Sequence, residues 1–239
     1  MTDQGVALPL TPARMGLKTG GLKLLRSTLG PYMRRRWDIN ERGEWHVPSE
    51  GPVILASNHI GWLDGPLLIA TTPRPAHALV KKESFEGRTG MLLRIAGQIS
   101  IDRRSTDVGA VRRTVQALRA GQAVVLYPEG TRGDGEFTAI KGGIGYLALV
   151  TGAPIVPVAI FGTRKAGEAG DAKPEKGARI DVIYGPPIQF INHSWPREKE
   201  SVTEATEQIH AHLLAHLADA KTKTTLELPG KLPAGDTDD

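Results

Sequence analysis

Three short apolar runs in this chain stop abruptly at polar clusters, and stretches with helical spacing separate them. Residues 53–56 lead to Asn58-His59, with Asp64 five positions beyond the histidine. Residues 98–101 run into Asp102-Arg103-Arg104, and residues 123–127 into Pro128-Glu129-Gly130-Thr131-Arg132. Residues 78–82, 155–161 and, with alternating character, 179–184 read as further strands. Between them, Leu67 to Ala70 follow Gly65-Pro66, with the proline near a helix's first turn. Val108, Val111, Val115 and Leu118 keep one face behind a cap at Thr106 or Asp107. Residues 144–150 read as a helix, and Val202, Ala205, Ile209, Leu213 and Leu217 mark an amphipathic one over 200–220. Buried strands alternating with helices need a layered α/β domain, because each element must bury its apolar side against another.

The flanks read differently. Residues 1–13 read as a loose tail. Residues 14–37 carry Arg14, Lys18, Lys23, Arg26, Arg34, Arg35 and Arg36 and no acidic residue before Trp37. Leu22, Leu25, Leu29, Tyr32 and Met33 recur there at helical spacing, and Gly30-Pro31 should break or kink the helix. An apolar stripe beside a purely cationic one suits a helix lying on an anionic bilayer, the alternative being a helix packed on its own domain. Residues 44–47 suggest an edge strand stopped by Pro48. The main domain is expected over 38–220, and 221–239, without periodicity, as a disordered tail.

Composition removes several function classes. With no cysteine in 239 residues, disulfides and thiolate metal sites are excluded. No window has the ~18 apolar residues of a membrane span, and residues 1–13 lack a secretory pattern, so the expected location is cytoplasmic. The net charge of +4 favours an anionic partner, while aromatic residues at 5% give little support to base stacking on nucleic acid. No G-x-S-x-G elbow supports a serine hydrolase.

If the three strands are parallel neighbours, their loops converge, since α/β sites gather beyond the carboxyl ends of strands. His59 with Asp64 is then a base with an orienting carboxylate, and Arg103 and Arg132 are suited to gripping phosphate. Together they point to proton abstraction from a phosphorylated alcohol.

Four blocks carry a resemblance. They are Asn58-His59-x4-Asp64, Gly97-Gln98-Ile99-Ser100-Ile101-Asp102-Arg103, Tyr127-Pro128-Glu129-Gly130-Thr131-Arg132, and Ala153-Pro154-Ile155-Val156-Pro157-Val158-Ala159. In this order, over roughly residues 50–162, they are similar to the motifs of the glycerophosphate acyltransferase superfamily, and within it of the 1-acylglycerol-3-phosphate (lysophosphatidate) acyltransferases. The resemblance implies a mixed, largely parallel sheet flanked by helices, with the amphipathic segment N-terminal to it. It implies that His59 deprotonates the acceptor hydroxyl while Asp64 fixes its tautomer. Arg103 is implied in acceptor phosphate binding, and Glu129, Gly130, Thr131 and Arg132 in shaping the acceptor site. Asn58, Pro128 and Pro157 are implied in support. It implies no metal and no cofactor; the acyl group comes on a thioester of CoA or acyl carrier protein. The product is phosphatidic acid for phospholipid synthesis, made by an enzyme held peripherally on the inner face of the cell membrane.

Some positions depart from the pattern. Gly61 and Gly133 stand where serine is common, and Lys141 is alone where many members carry two basic residues. These leave open another acceptor: glycerol-3-phosphate, another lysophospholipid or a lyso-aminolipid. A more remote alternative is a non-catalytic basic module binding membrane or nucleic acid. Lys81, Lys82 and Lys141 read as solvated surface, with contact to the phosphates of CoA as the alternative, and His210, His212 and His216 read as the surface of the last helix.

Overall fold

A computed structural model describes residues 16–191 and 198–236. Expectations about residues 1–13, and about the start of the basic segment, lie outside the described residues.

The chain builds α1 (Gly20–Arg36), β1 (Asp38–Arg42), β2 (Val53–Ser57), α2 (Asp64–Thr71), β3 (Ala76–Lys81), α3 (Gly87–Ile95), β4 (Ile99–Ile101), α4 (Val108–Arg119), β5 (Ala123–Leu126), α5 (Gly143–Thr151), β6 (Ile155–Phe161), β7 (Arg179–Tyr184) and α6 (Lys199–Thr222). One seven-stranded sheet runs in the order β1-β7-β6-β2-β5-β3-β4. β2 pairs in parallel with β5 and β6, β3 pairs in parallel with β5 and β4, β1 pairs in parallel with β7, and the β6–β7 pair is antiparallel. The expected mixed, largely parallel sheet flanked by helices is therefore the fold. The central strands are continuously apolar because both faces are covered: β2, β5 and β6 are buried throughout.

One core layer packs α1 and α2 on the sheet through Leu22, Met33, Leu67 and Leu68. The other packs α4, α5 and α6 through Leu118, Leu147, Ile209 and Leu213. Five parallel strands thus send their carboxyl ends to one edge, which is where the three polar loops meet.

Several local expectations are corrected. Glu44–His46 is a single 3-10 turn, entered through Gly43 at φ +79°, and the edge strand is Asp38–Arg42, paired with β7. The helix α1 continues through Pro31. Gly30 lies so close to α2 that a Cβ there would sit 3.2 Å from the Ala70 carbonyl, and this close packing holds the helix across the proline. The α1 stripe expected to face a bilayer is turned inward: Leu22 and Met33 are buried, and Leu25 and Leu29 pack on the same core. Arg26, counted among the cations of the outer face, instead donates to the Ile69 carbonyl at 2.6 Å, the Thr72 hydroxyl at 2.8 Å and the Thr72 carbonyl, capping the end of α2. Leu24 and Tyr32 remain exposed.

The stretch expected as a disordered tail is also different over its described part. After α6 the chain returns along the domain, and Leu226 and Leu228 pack on the second core layer. Its Gly230 carbonyl and Asp236 carboxylate accept hydrogen bonds from Arg164 and the Gly170 amide. Such a strap has no helical or strand period, since its apolar side chains need only meet the surface they cross.

Candidate active site

The site begins where β2 ends. Asn58 is fully buried and bridges to β6, its Nδ2 donating to the Ile160 carbonyl at 3.0 Å and its Oδ1 accepting from the Ile160 amide at 2.8 Å. This amide bridge replaces the next rung of the ladder and lets the backbone leave the sheet at His59. The His59 amide donates to Glu129 Oε1 at 3.0 Å, and its carbonyl accepts from the Gly133 amide at 2.8 Å. The loop after β5 thus holds both backbone groups of the histidine.

Asp64 opens α2 and is fully buried. Its Oδ2 accepts from His59 Nδ1 at 2.8 Å, the Ile60 amide at 2.7 Å and the Gly61 amide at 2.9 Å, and its Oδ1 accepts from the Thr163 hydroxyl at 2.5 Å. A carboxylate so placed can only accept, so Nδ1 carries the proton and Nε2 keeps its lone pair. The His59 ring also stacks on Tyr127, with centroids 4.1 Å apart and planes 21° from parallel. Held by two neighbours, the ring presents Nε2 to a cavity of about 490 Å³ that His59 lines.

The cavity has a cationic rim and apolar walls. Arg103, Arg132, Lys81 and Lys141 line it, along with Ala78, Val80, Leu93, Ile101, Val111, Leu126, Ile144 and Leu147. Lys81 and Lys141, read from sequence as solvated surface, therefore belong to the pocket wall. Lys82 matches its expectation better: it is exposed and pairs with Asp102 at 2.5 Å.

Each residue singled out in the sequence has a definite place. Arg103 reaches toward the Gly130 carbonyl at 3.4 Å, and Arg132 donates to the Gly170 carbonyl at 2.7 Å. Gly130 takes φ +81° in the turn closed by its amide on the Tyr127 carbonyl, and a Cβ there would strike the Lys141 side chain. Pro128 lines the cavity, and its carbonyl accepts from the Lys141 amide at 2.9 Å. Glu129 points at the His59 backbone; burial pushes its carboxyl up to about 7, despite the amide it accepts. Thr131 is exposed and lies outside the cavity lining, so it is not brought together with the rest. Pro157 sits in β6 opposite Ala56 and contributes through the sheet.

Sequence reading missed two residues just past the fourth motif. Thr163 reaches Asp64, and Arg164, only 2% exposed, donates to the carbonyls of Ile60 at 2.6 Å, Gly133 at 2.8 Å, Gly230 at 2.6 Å and Glu168 at 3.1 Å. A Thr-Arg pair immediately after a buried strand was the available signal. The three histidines of α6 also differ from a plain surface reading. Each ring bonds a backbone carbonyl, of Phe137, Pro186 and Ile183, and His216 is buried.

A family model described as Acyltransferase matches residues 38–161. The chain is 24% identical to the 1-acyl-sn-glycerol-3-phosphate acyltransferase of Bacillus subtilis, over 80% of this chain and 94% of that one. It is 31% identical to the protein of the same name from Limnanthes alba, over 72% of this chain and 60% of that one. It therefore spans nearly all of the bacterial relative and somewhat under two thirds of the plant one. The crystal structure of the 1-acyl-sn-glycerophosphate (LPA) acyltransferase from Thermotoga maritima has the same fold. It superposes with a TM-score of 0.63 at 19% identity, covering 85% of this chain and 81% of that one.

Proposed function

The chain belongs to the acyltransferase family, and we propose that it moves a fatty acyl group from a CoA or acyl carrier protein thioester to the free hydroxyl of 1-acylglycerol-3-phosphate. The observation that carries this reading is the His59–Asp64 pair, 2.8 Å apart, at the edge of a cavity with a cationic rim and apolar walls. A phosphorylated, acylated alcohol has the matching parts: an anion for the arginines, a chain for the walls and a hydroxyl for the base.

In the reaction, His59 Nε2 takes the hydroxyl proton as the oxygen attacks the thioester carbonyl carbon. Asp64 stabilises the imidazolium that forms. The tetrahedral intermediate collapses, the C–S bond breaks, and the imidazolium returns the proton to the thiolate. The products are free CoA and phosphatidic acid. A thioester is already activated, so no acyl-enzyme and no cofactor is required. Arg103 and Arg132 hold the acceptor phosphate, and Glu129 acts on the base's loop rather than on the anion. That role suits it, because two anions in one dry pocket repel.

The acceptor is a membrane lipid, which supports peripheral attachment to an anionic inner membrane face. Among the described residues no helix is long and apolar enough to cross a membrane. Leu24 on α1 and Met91, Leu92 and Ile95 on α3 are exposed apolar groups, Ile95 sharing a cleft with Lys18 and Arg94, and they support such an attachment better than the inward-turned stripe.

The test is thiol release from acyl-CoA and from acyl carrier protein thioester, offered with lysophosphatidate, glycerol-3-phosphate, a neutral lysophospholipid or a lyso-aminolipid. Release with lysophosphatidate at least tenfold faster than with the others is the expected result. Equal rates would remove the phosphate-specific part of the reading.

A further inference from the structure

We propose that Thr163 is a positioning residue for the catalytic pair, a third member that fixes Asp64 from the far side. The proposal rests on the base role given to His59 above.

The argument starts with how Asp64 is satisfied. Three donors converge on Oδ2: His59 Nδ1, the Ile60 amide and the Gly61 amide. Among the described residues, the donor to Oδ1 is the Thr163 hydroxyl, at 2.5 Å. Both side chains are fully buried, so water does not replace that donor at the surface. A buried carboxylate with one oxygen unpartnered is costly, and its setting about the Cβ–Cγ bond then rests on the other oxygen's contacts alone. Thr163 therefore steadies the carboxylate from its other oxygen and sets how much of the negative charge is left to act on the histidine.

The backbone is built to bring that hydroxyl in. At the end of β6 the chain turns at Gly162, φ +85°, a conformation that glycine takes without strain. Thr163 then passes so close to the first-motif loop that a Cβ on Gly61 would lie 3.1 Å from the Thr163 carbonyl. The glycine at 61 thereby leaves room for Thr163. Next to it, the buried Arg164 guanidinium ties this segment to the carbonyls of Ile60 and Gly133, one on each loop flanking His59. The Thr163 hydroxyl is thus anchored from its own neighbour.

The charged and titratable groups around the pair are Glu129 and Tyr127 from the loop after β5 and Arg164 from the loop after β6, and across the cavity His59 faces Lys81, Asp102, Arg103, Arg132 and Lys141. The hydroxyl dipole presents its positive end to Asp64. Removing it leaves the carboxylate's charge less shared, so the carboxylate attracts the His59 imidazolium more strongly.

The experiment compares Thr163→Val, which keeps shape and removes the donor, with Thr163→Ser, which keeps the donor. Thr163→Ala serves as a second deletion should valine not fold. Protein labelled with 15N-histidine is titrated by NMR, and kcat and KM are measured for acyl-CoA and lysophosphatidate. Deletion is expected to raise the His59 midpoint relative to the unsubstituted protein. It is expected to lower kcat about tenfold or more while each KM stays within about twofold, and serine is expected to restore both. An unmoved His59 midpoint in the deletion variants overturns the proposal whatever the activity. Absence of thiol release from the unsubstituted protein would instead count against the acyltransferase reading, and the NMR titration would still decide the role of Thr163.

Discussion

The backbone amide of His59 donates to Glu129 Oε1 at 3.0 Å, so a third-motif carboxylate holds the loop that carries the base. The contact is half-hidden from water, and burial pushes the Glu129 carboxyl up to about 7. In the unfolded chain the same group titrates near 4.5. Between those values the folded protein binds more of the proton than the unfolded one, so this group's contribution to stability falls as pH rises through the window. Glu129→Gln keeps the acceptor oxygen and removes the titration. The thermal midpoint of the unsubstituted protein should therefore decline more steeply between pH 5 and 7.5 than that of Glu129→Gln; parallel curves would contradict the assignment.

Arg164 makes a second prediction, about stability. Its guanidinium satisfies carbonyls of Ile60, Gly133, Glu168 and Gly230 while almost fully buried. Arg164→Met removes the charge but leaves those carbonyls without donors, which should cost about 3 kcal/mol or more. Arg164→Lys, with one ammonium in place of a planar fork, should recover only part. Urea unfolding followed by tryptophan fluorescence measures both. A loss below about 1 kcal/mol for methionine would mean that water or a shift in the loops replaces the donors.

The strap after α6 gives a third. Leu226 and Leu228 are partly buried against the second core layer. Truncating either to alanine should lower stability by about 1–2 kcal/mol, from the apolar area returned to water. A disordered tail would show no change in the same urea titration.

Much of this was legible in the sequence, and the limits have physical causes. Continuous apolar runs ending in polar clusters reported the parallel sheet and its loaded edge, because strands buried on both faces leave that pattern. The first motif reported its own geometry, since four residues separate His59 from Asp64 and one turn brings them together. The contacts of Thr163 with Asp64 and of Arg164 with Ile60 were not legible, because those partners lie about 100 residues earlier and no local period encodes such a contact. The direction of the α1 stripe was equally hidden. An apolar face specifies that something covers it, and here Leu22 and Met33 find the protein's own core. The strap failed for the same reason: Leu226 and Leu228 follow no repeat, only a surface.

Arg103 lines the cavity beside the third-motif loop, and a fourth prediction concerns what it holds. If it binds the acceptor phosphate, Arg103→Ala should raise KM for lysophosphatidate about tenfold or more, as expected for losing a charge-assisted contact. KM for acyl-CoA should change less than about threefold. Steady-state kinetics with each substrate varied in turn separates the two, and a rise confined to acyl-CoA would move Arg103 to the donor site.

The central claim is that His59 Nε2, aimed into the cavity by Asp64 and Tyr127, takes the proton from the acceptor hydroxyl. Its most direct test is thiol release by purified His59→Gln with acyl-CoA and lysophosphatidate, alongside a urea unfolding curve of the same preparation. The account predicts a fall of about 10²–10⁴-fold in kcat, the usual worth of a positioned base, with the unfolding midpoint kept. Thiol release within tenfold of the unsubstituted protein, from a variant that remains folded, would contradict it.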